Sequence, residues 1–335
     1  MRFTVGRFAT CCLLALLLHA GCGHSATKSR PELRSAFFDR IEIIGGKGVG
    51  VGRFSKPRAV TVDRADNLYV VDMTARVQKF DPNGKFVLFW QMTQTELGKP
   101  KGMGIDADGN IMVVEPHYNC VNHFSPEGKL LRKWGTQGIE PGRLYIPRNV
   151  VADAAGNLFV CEYNPVNRVQ VFDSTGQKLL THWGGLGGAP GQFSRAEGLA
   201  LDRDGNVLVA DSCNHRIQKF SHDGKFLSAF GKAGAAVGEL NFPYDVKVDR
   251  AGNILVCEYG NSRVQVFDAN GTSLEIVGGL GAGPGQFNNP WSIALDSRGN
   301  LYVADAGNHR VVKLVRHNRR RPRPRRRPRN LFGRS

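Results

Sequence analysis

The chain has no CxxC pair, so a zinc ribbon or a thioredoxin-like redox centre is not indicated. It has no GxxxxGK[ST] run and no glycine fingerprint in a βαβ setting, which sets aside the common phosphate-cradling nucleotide sites. No Ser–His–Asp set can be placed with any geometry. The apolar run Phe8 to Gly21, "FATCCLLALLLHAG", is too short to span a bilayer comfortably. Acids are absent from residues 316–335, which hold ten arginines.

That tail distorts the charge balance. The formal net charge is +16, but the tail together with Arg2 and Arg7 accounts for twelve of those charges, leaving +4 over the middle of the chain. The body is therefore close to neutral and the basicity is local. Prolines interrupt the tail and exclude a helix; it reads as a polyproline-like segment attractive to anions. The N-terminus reads as an export signal over residues 1–21. It ends in "HAGC", which resembles a bacterial lipobox with Cys22 as the lipidated residue, although His19 stands where Leu is usual. Plain secretion and an uncleaved anchor are the alternatives. Residues 22–36 form a linker. Of seven cysteines, three lie in the signal region, and Cys161 and Cys257 hold one place in two repeats, "FVCEY" and "LVCEY", as small buried hydrophobes.

What the chain has in abundance is glycine, 41 residues, and repetition. The phrase DxxGN, sometimes blurred, begins at Asp63, Asp106, Asp153, Asp202, Asp249 and Asp296, at intervals of 43, 47, 49, 47 and 47. A period of this size signals a solenoid, array or propeller. Each unit holds four short alternating strands. In the fourth unit they are "GLALD", "VLVAD", "RIQKF" and "FLSAFG", separated by the turns "RDGN" and "SHDGK". Four antiparallel strands per unit make a propeller blade. The sixth unit lacks its outer strand, and an orphan strand, Arg40–Ile44, precedes the first unit. The prediction is an all-β, six-bladed propeller over residues 37–315, its ring closed by the N-terminal strand, which leaves no open edge.

"NHRIQKF", "NHRVVKL", "NSRVQVF" and "VNRVQVF", with "PGQF" ahead of several blades, resemble NHL repeats. The resemblance implies the same six-bladed fold. The pairing of acid and Arg recurs: Asp72 with Arg76, Glu162 with Arg168, Asp211 with Arg216, Glu258 with Arg263 and Asp305 with Arg310. These are read as hydrogen-bonded pairs that fix a turn, not as catalytic groups. Blade two departs, with Cys120 for the Arg, and "HYNCVNH" gives His117, Cys120 and His123 a spacing that evokes a metal site. Strand alternation sends 120 and 123 to opposite faces and argues against it.

The functional candidates lie at the start of each inner strand. The residues after the blade-opening Pro, or after Ala196 in blade four, are Arg58, Lys101, Arg148, Glu197, Tyr244 and Trp291. They are expected to ring one mouth of the channel as a ligand-binding surface, with Asp245 just below. NHL-type amidation lyases carry His at such positions for zinc, and none is present here. Lactonase-like propellers hold calcium with channel acids and Asn, for which Glu197, Asn149 and Asp245 are candidates beside three unfavourable cations.

The expected function is an exported, membrane-anchored binding or scaffold module for a protein, peptide or glycan, monomeric, extracytoplasmic and needing no cofactor or metal. The alternatives are a metal-dependent lyase or hydrolase and, if the chain is cytoplasmic, an RNA-binding propeller. Nucleic acid is not the expected partner outside the cytoplasm.

Overall fold

The computed structural model describes residues 35–317. The signal region, Cys22 and nearly all of the arginine tail lie outside the described residues. Six four-stranded antiparallel sheets make up the described chain. The orphan strand β1 spans Phe38–Ile44. Blade one holds β2 (Pro57–Val62), β3 (Leu68–Asp72), β4 (Arg76–Phe80) and β5 (Phe86–Gln91). Blade two holds β6 (Gly102–Ile105), β7 (Ile111–Glu115), β8 (Cys120–Phe124) and β9 (Leu130–Trp134). Blade three holds β10 (Pro147–Ala152), β11 (Leu158–Glu162), β12 (Arg168–Phe172) and β13 (Leu179–Gly184). Blade four holds β14 (Ala196–Leu201), β15 (Val207–Asp211), β16 (Arg216–Phe220) and β17 (Phe226–Phe230). Blade five holds β18 (Pro243–Val248), β19 (Ile254–Glu258), β20 (Arg263–Phe267) and β21 (Ser273–Gly278). Blade six has β22 (Pro290–Leu295), β23 (Leu301–Asp305) and β24 (Arg310–Arg316), and β1 completes it.

Closure takes the predicted form. β1 runs antiparallel to β24, with Ile41 opposite Leu314 and Ile43 opposite Val312. The strand starts at Phe38, two residues earlier than the pattern indicated, because Phe38 is fully buried under the last blade. The seam has a second tie: Asp66, which takes the DxxGN glycine position at φ 64°, accepts from the N–H and hydroxyl of Ser297 in blade six.

The core is six cores rather than one, each filling the gap between two adjacent blades. Leu255, Val264 and Val266 of blade five meet Ile293, Val303 and Val312 of blade six, for example. Cys161 and Cys257 are buried in such layers. The link before most blades packs an aromatic or Leu into the core: Phe54, Leu144, Phe193, Leu240 and Phe287 are fully buried. The glycine two residues earlier, Gly191 at φ 85° for example, adopts the left-handed region that the tight link demands.

The repeated polar phrases hold the blades in shape. In DxxGN the aspartate closes its own hairpin; Asp202 Oδ1 accepts from the N–H groups of Asp204 and Asn206, both at 2.9 Å. In the acid–Arg phrase, Asp211 accepts from Ser194 N–H at 2.7 Å, Arg216 Nε at 2.8 Å and Gln218 Nε2 at 3.0 Å, while Arg216 donates to the link carbonyls of Ala189 and Gln192. Glu162–Arg168, Glu258–Arg263 and Asp305–Arg310 repeat the contact at 2.6 to 2.7 Å. Asp72–Arg76 stretches to 4.0 Å because Thr74 sits between them and takes the Arg76 Nε hydrogen bond.

The residue before each Arg, or before Cys120 in blade two, has a left-handed backbone, from Asn167 at φ 42° to Ala75 at φ 59°. Except at Ala75, which has no polar side-chain atom, its side chain ties one blade to the next by accepting from an N–H at the start of that blade. His215 takes Phe242 N–H at 3.3 Å, and His309 takes Lys56 N–H at 3.2 Å across the ring seam. Asn119, Asn167 and Ser262 do the same with Ile146, Arg195 and Asn289.

A cationic cluster at the channel mouth

Five of the six inner strands open with an irregularity that aims one side chain; β6 pairs regularly, and Lys101 stands just before it. Pro57 pairs with Asp72 and Ala59 with Val71, so Arg58 has no place in the ladder. The same shift isolates Arg148, Glu197 and Tyr244. In blade six the gap between Pro290 and Ile293 contains Trp291. A bulge bends its strand and re-aims the extra residue. The hydrophobic pattern of the strands marks these positions only as interruptions; the register turns them into one cluster.

At its centre lies Glu197, 2% exposed. Arg148 grips it with two bonds, Nη2 to Oε1 at 2.8 Å and Nε to Oε2 at 3.0 Å. Arg195 Nε donates to Oε1 at 2.6 Å, and Lys101 Nζ stands 3.6 Å from Oε2. Aromatic rings floor the cations. Lys101 Nζ is 4.2 Å from the Trp291 ring centre and 4.8 Å from that of Tyr244. The Arg58 guanidinium lies 4.7 Å from the Trp291 ring centre. Arg148 and Arg195 approach Tyr163, Arg195 also bonds the Tyr244 hydroxyl at 2.9 Å, and Tyr244 stacks on Tyr259 with centroids 4.5 Å apart.

Four cations thus surround one carboxylate, and the shortage of negative charge decides who gives way. Burial alone would push Glu197 up, but Arg148, Lys101 and Arg195 together hold it far below the usual carboxylate range. Burial, reinforced by Arg148, Arg58 and Arg195, outweighs Glu197 at Lys101 and brings its ammonium down to about 7. Burial and Arg148 bring Arg58 down to about 10. Arg58 has no ion pair among the described residues; its Nη1 makes a long 3.4 Å bond to the Lys99 carbonyl, and its buried Nε has no partner there.

The structure therefore brings Arg58, Lys101, Arg148, Glu197, Tyr244 and Trp291 together. Asp245 lies apart, on the channel wall, where it accepts from Lys247 at 2.6 Å, Ser292 Oγ at 2.8 Å and Ile293 N–H at 3.0 Å. Asn149 turns back on the Val150 N–H at 2.7 Å. The cluster also includes three residues that the sequence reading passed over: Arg195, Tyr163 and Tyr259. A signal was available, since both tyrosines follow the acid in "CEY" and so stand on the same face as the blade openings.

The three residues of "HYNCVNH" do not converge. His123 bonds Asp106 through Nδ1 at 2.9 Å and takes the Trp134 indole N–H on Nε2 at 2.9 Å. Cys120 lies against Glu115, whose carboxylate takes the Asn122 amide at 2.6 Å. Among the described residues no group of three or more His, Cys, Asp or Glu side chains could hold a metal ion. On the opposite face the DxxGN turns border an open basin of about 1370 Å³. Its aspartates are engaged in their own turns or paired, as Asp249 is with Arg316 at 3.1 Å.

Comparison with known proteins agrees with this architecture. The model of the NHL repeat matches residues 193–220, 240–267 and 287–314, which run from the buried link Phe or Leu to the end of the third strand in blades four, five and six. The Drosophila melanogaster protein brain tumor is 27% identical over 101 residues, 30% of this chain and 10% of that protein, so the match spans a tenth of the relative's length. Virginiamycin B lyase from Staphylococcus aureus superposes with a TM-score of 0.58 at 12% identity, over 82% of this chain and 99% of that one. A gluconolactonase from Xanthomonas campestris gives 0.61 at 14% identity, over 86% and 99%. A protein of unknown function from Bacteroides thetaiotaomicron gives 0.65 at 16%, over 83% and 76%. At these identities the structural likenesses speak for the fold alone. With NHL repeats matched in three blades and the same acid–Arg phrase in the third, the chain is a six-bladed β-propeller that carries NHL repeats.

Proposed function

We propose that this propeller is an exported binding or scaffold module, held at the cell envelope through Cys22 and the basic tail, that takes a protein, peptide or glycan across the mouth built around Glu197. One observation carries the reading: bulged residues from different blades deliver cations and aromatic rings to a single cluster. Arg, Trp and Tyr are the residues that dominate recognition surfaces. The links on the same face add exposed aliphatic side chains, Val49, Leu97, Ile139, Leu186, Val237 and Leu280, an apolar rim suited to a macromolecular partner.

The test is a screen of the mature chain against a glycan array and a displayed random-peptide library, repeated with Trp291→Ala. Ligands that the variant loses support the module. An empty screen, or hits indifferent to Trp291, sinks it.

A second reading, a lyase or hydrolase at the same mouth, is favoured by Lys101, an amine brought to about 7 beside an aromatic wall and so suited to act as a general base. Turnover of δ-gluconolactone or of a streptogramin B, abolished by Lys101→Met, would install it. A stoichiometric metal found by elemental analysis would favour its metal-dependent form.

A further inference from the structure

The mouth holds more positive charge than it can neutralise. Arg148 and Arg195 saturate Glu197, Lys101 reaches it only at 3.6 Å, and Arg58 has no ion pair among the described residues. Arg58 and Lys101 share one further feature: both stand over the same Trp291 ring, at 4.7 and 4.2 Å from its centre. Two desolvated, under-neutralised cations on one aromatic wall cost free energy that an incoming anion would recover. A bulky anion is not required, since among the described residues of the cluster these are the two cations that lack a full partner.

We propose that the mouth is an oxyanion site, in which Arg58 and Lys101, beside Trp291, take a carboxylate, sulfate or phosphate group of the ligand. This rests on the proposed binding function and names the part of the ligand that is recognised. Arg58 offers its unpartnered Nε in fork geometry, and Lys101 adds a point charge.

The site carries its own proton linkage. The groups that face Lys101 are Glu197 on β14, Arg148 on β10, Arg58 on β2, Arg195 before β14 and Tyr244 on β18. These neighbours keep one charge state between pH 6 and 8.5: Glu197 is held far down, the Arg58 and Arg195 guanidinium groups stay charged, and Tyr244 is pushed up to about 12. An anion favours ammonium over amine, so binding takes up a proton as pH rises through about 7.

Isothermal titration of the full chain with sulfate and with acetate, at pH 6 and 8.5 and in buffers of different protonation enthalpy, tests this. Both probes hold their charge across that window. The expected result is saturable binding, at least about tenfold weaker at pH 8.5, with proton uptake at the higher pH. Arg58→Gln weakens binding by about tenfold or more and keeps the pH dependence. Lys101→Arg keeps binding and removes the pH dependence, a result that a merely structural lysine would not produce. Tighter sulfate binding indicates a sulfated or phosphorylated ligand, and tighter acetate binding a carboxylate.

The proposal is overturned if neither anion saturates, or if the binding seen is indifferent to Arg58→Gln and Lys101→Arg and so belongs to the arginine tail. The two failures stay separate. Anion binding without any peptide or glycan ligand sinks the module alone, and a Trp291-dependent ligand without anion binding sinks this site alone. Thermal unfolding of each variant near the wild-type temperature confirms an intact fold.

Discussion

Replacing Glu197 by Gln keeps its shape and removes the one negative charge that Arg148, Arg195 and Lys101 share. The site is desolvated, Glu197 being 2% exposed, so solvent cannot take over the carboxylate's role. Breaking a buried ion pair by removing one partner costs about 3–5 kcal/mol. For a domain of this size that is a fall in melting temperature of roughly 6–15 °C. The pH dependence has a definite sign. Because the folded-state pKa of Glu197 is depressed, its contribution is complete above the ordinary value near 4.5 and fades only as pH falls through the strongly acid folded value. In the variant Lys101 loses the one anion that pairs with it among the described residues and sheds its proton more readily. The wild-type protein therefore binds more protons than the variant on the acid side of about 7, and the stability gap narrows as pH rises through that value. Calorimetric unfolding of both proteins at pH 5.5 and 9 reads the gap. A loss below about 0.5 kcal/mol, the ordinary range for a surface substitution, would mean that the mouth is a hydrated loop cluster and that the charge argument fails.

Other outcomes follow from the repeat. Glu115→Gln is expected within about 0.5 kcal/mol of wild type or stabilising at pH 7, since burial raises this carboxyl and no Arg stands opposite; the gain should grow as pH rises through its raised pKa. Glu162→Gln, at the same place in blade three, leaves Arg168 unpaired and should cost about 3 kcal/mol; equal denaturant midpoints for the two variants would contradict the pairing argument. His309→Ala removes the bond that takes the Lys56 N–H across the ring seam and should cost about 1 kcal/mol, with His309→Asn retaining most of it. Gly198→Ala would set a Cβ 2.6 Å from the Asp245 Cα on the neighbouring inner strand and should cost about 2 kcal/mol or more by chemical denaturation.

Much of the fold was legible because repetition makes local rules visible. DxxGN announces a hairpin wherever it occurs, since an aspartate that accepts from the N–H groups two and four residues on needs no tertiary partner. The missing outer strand of blade six and the spare strand before blade one could be matched by counting. The acid–Arg phrase was readable as architecture because it recurs. The chain also marked the six positions at the channel mouth, through the residue after each blade-opening Pro or Ala196.

Other features required the third dimension. Arg195 precedes Ala196, outside the repeated position that marked Glu197, and nothing in "SRAEGL" tells that it turns in to join that carboxylate. The left-handed turn at His215 and His309 reads as part of a repeat phrase, yet its hydrogen bond runs to the neighbouring blade. The stretched Asp72–Arg76 pair depends on where the Thr74 hydroxyl falls.

The sequence by itself determined the number of blades, their strands and their closure, because strand alternation, turn chemistry and a period near 47 residues are local properties repeated along the chain. Only the tertiary structure decided the charge state of the mouth. Whether Lys101 is an ordinary surface lysine or a cation poised near neutrality depends on burial and on four side chains delivered by three other inner strands and the link before one of them. Such electrostatics depend on distance and desolvation, which arise when the ring closes and which no stretch of the chain encodes alone.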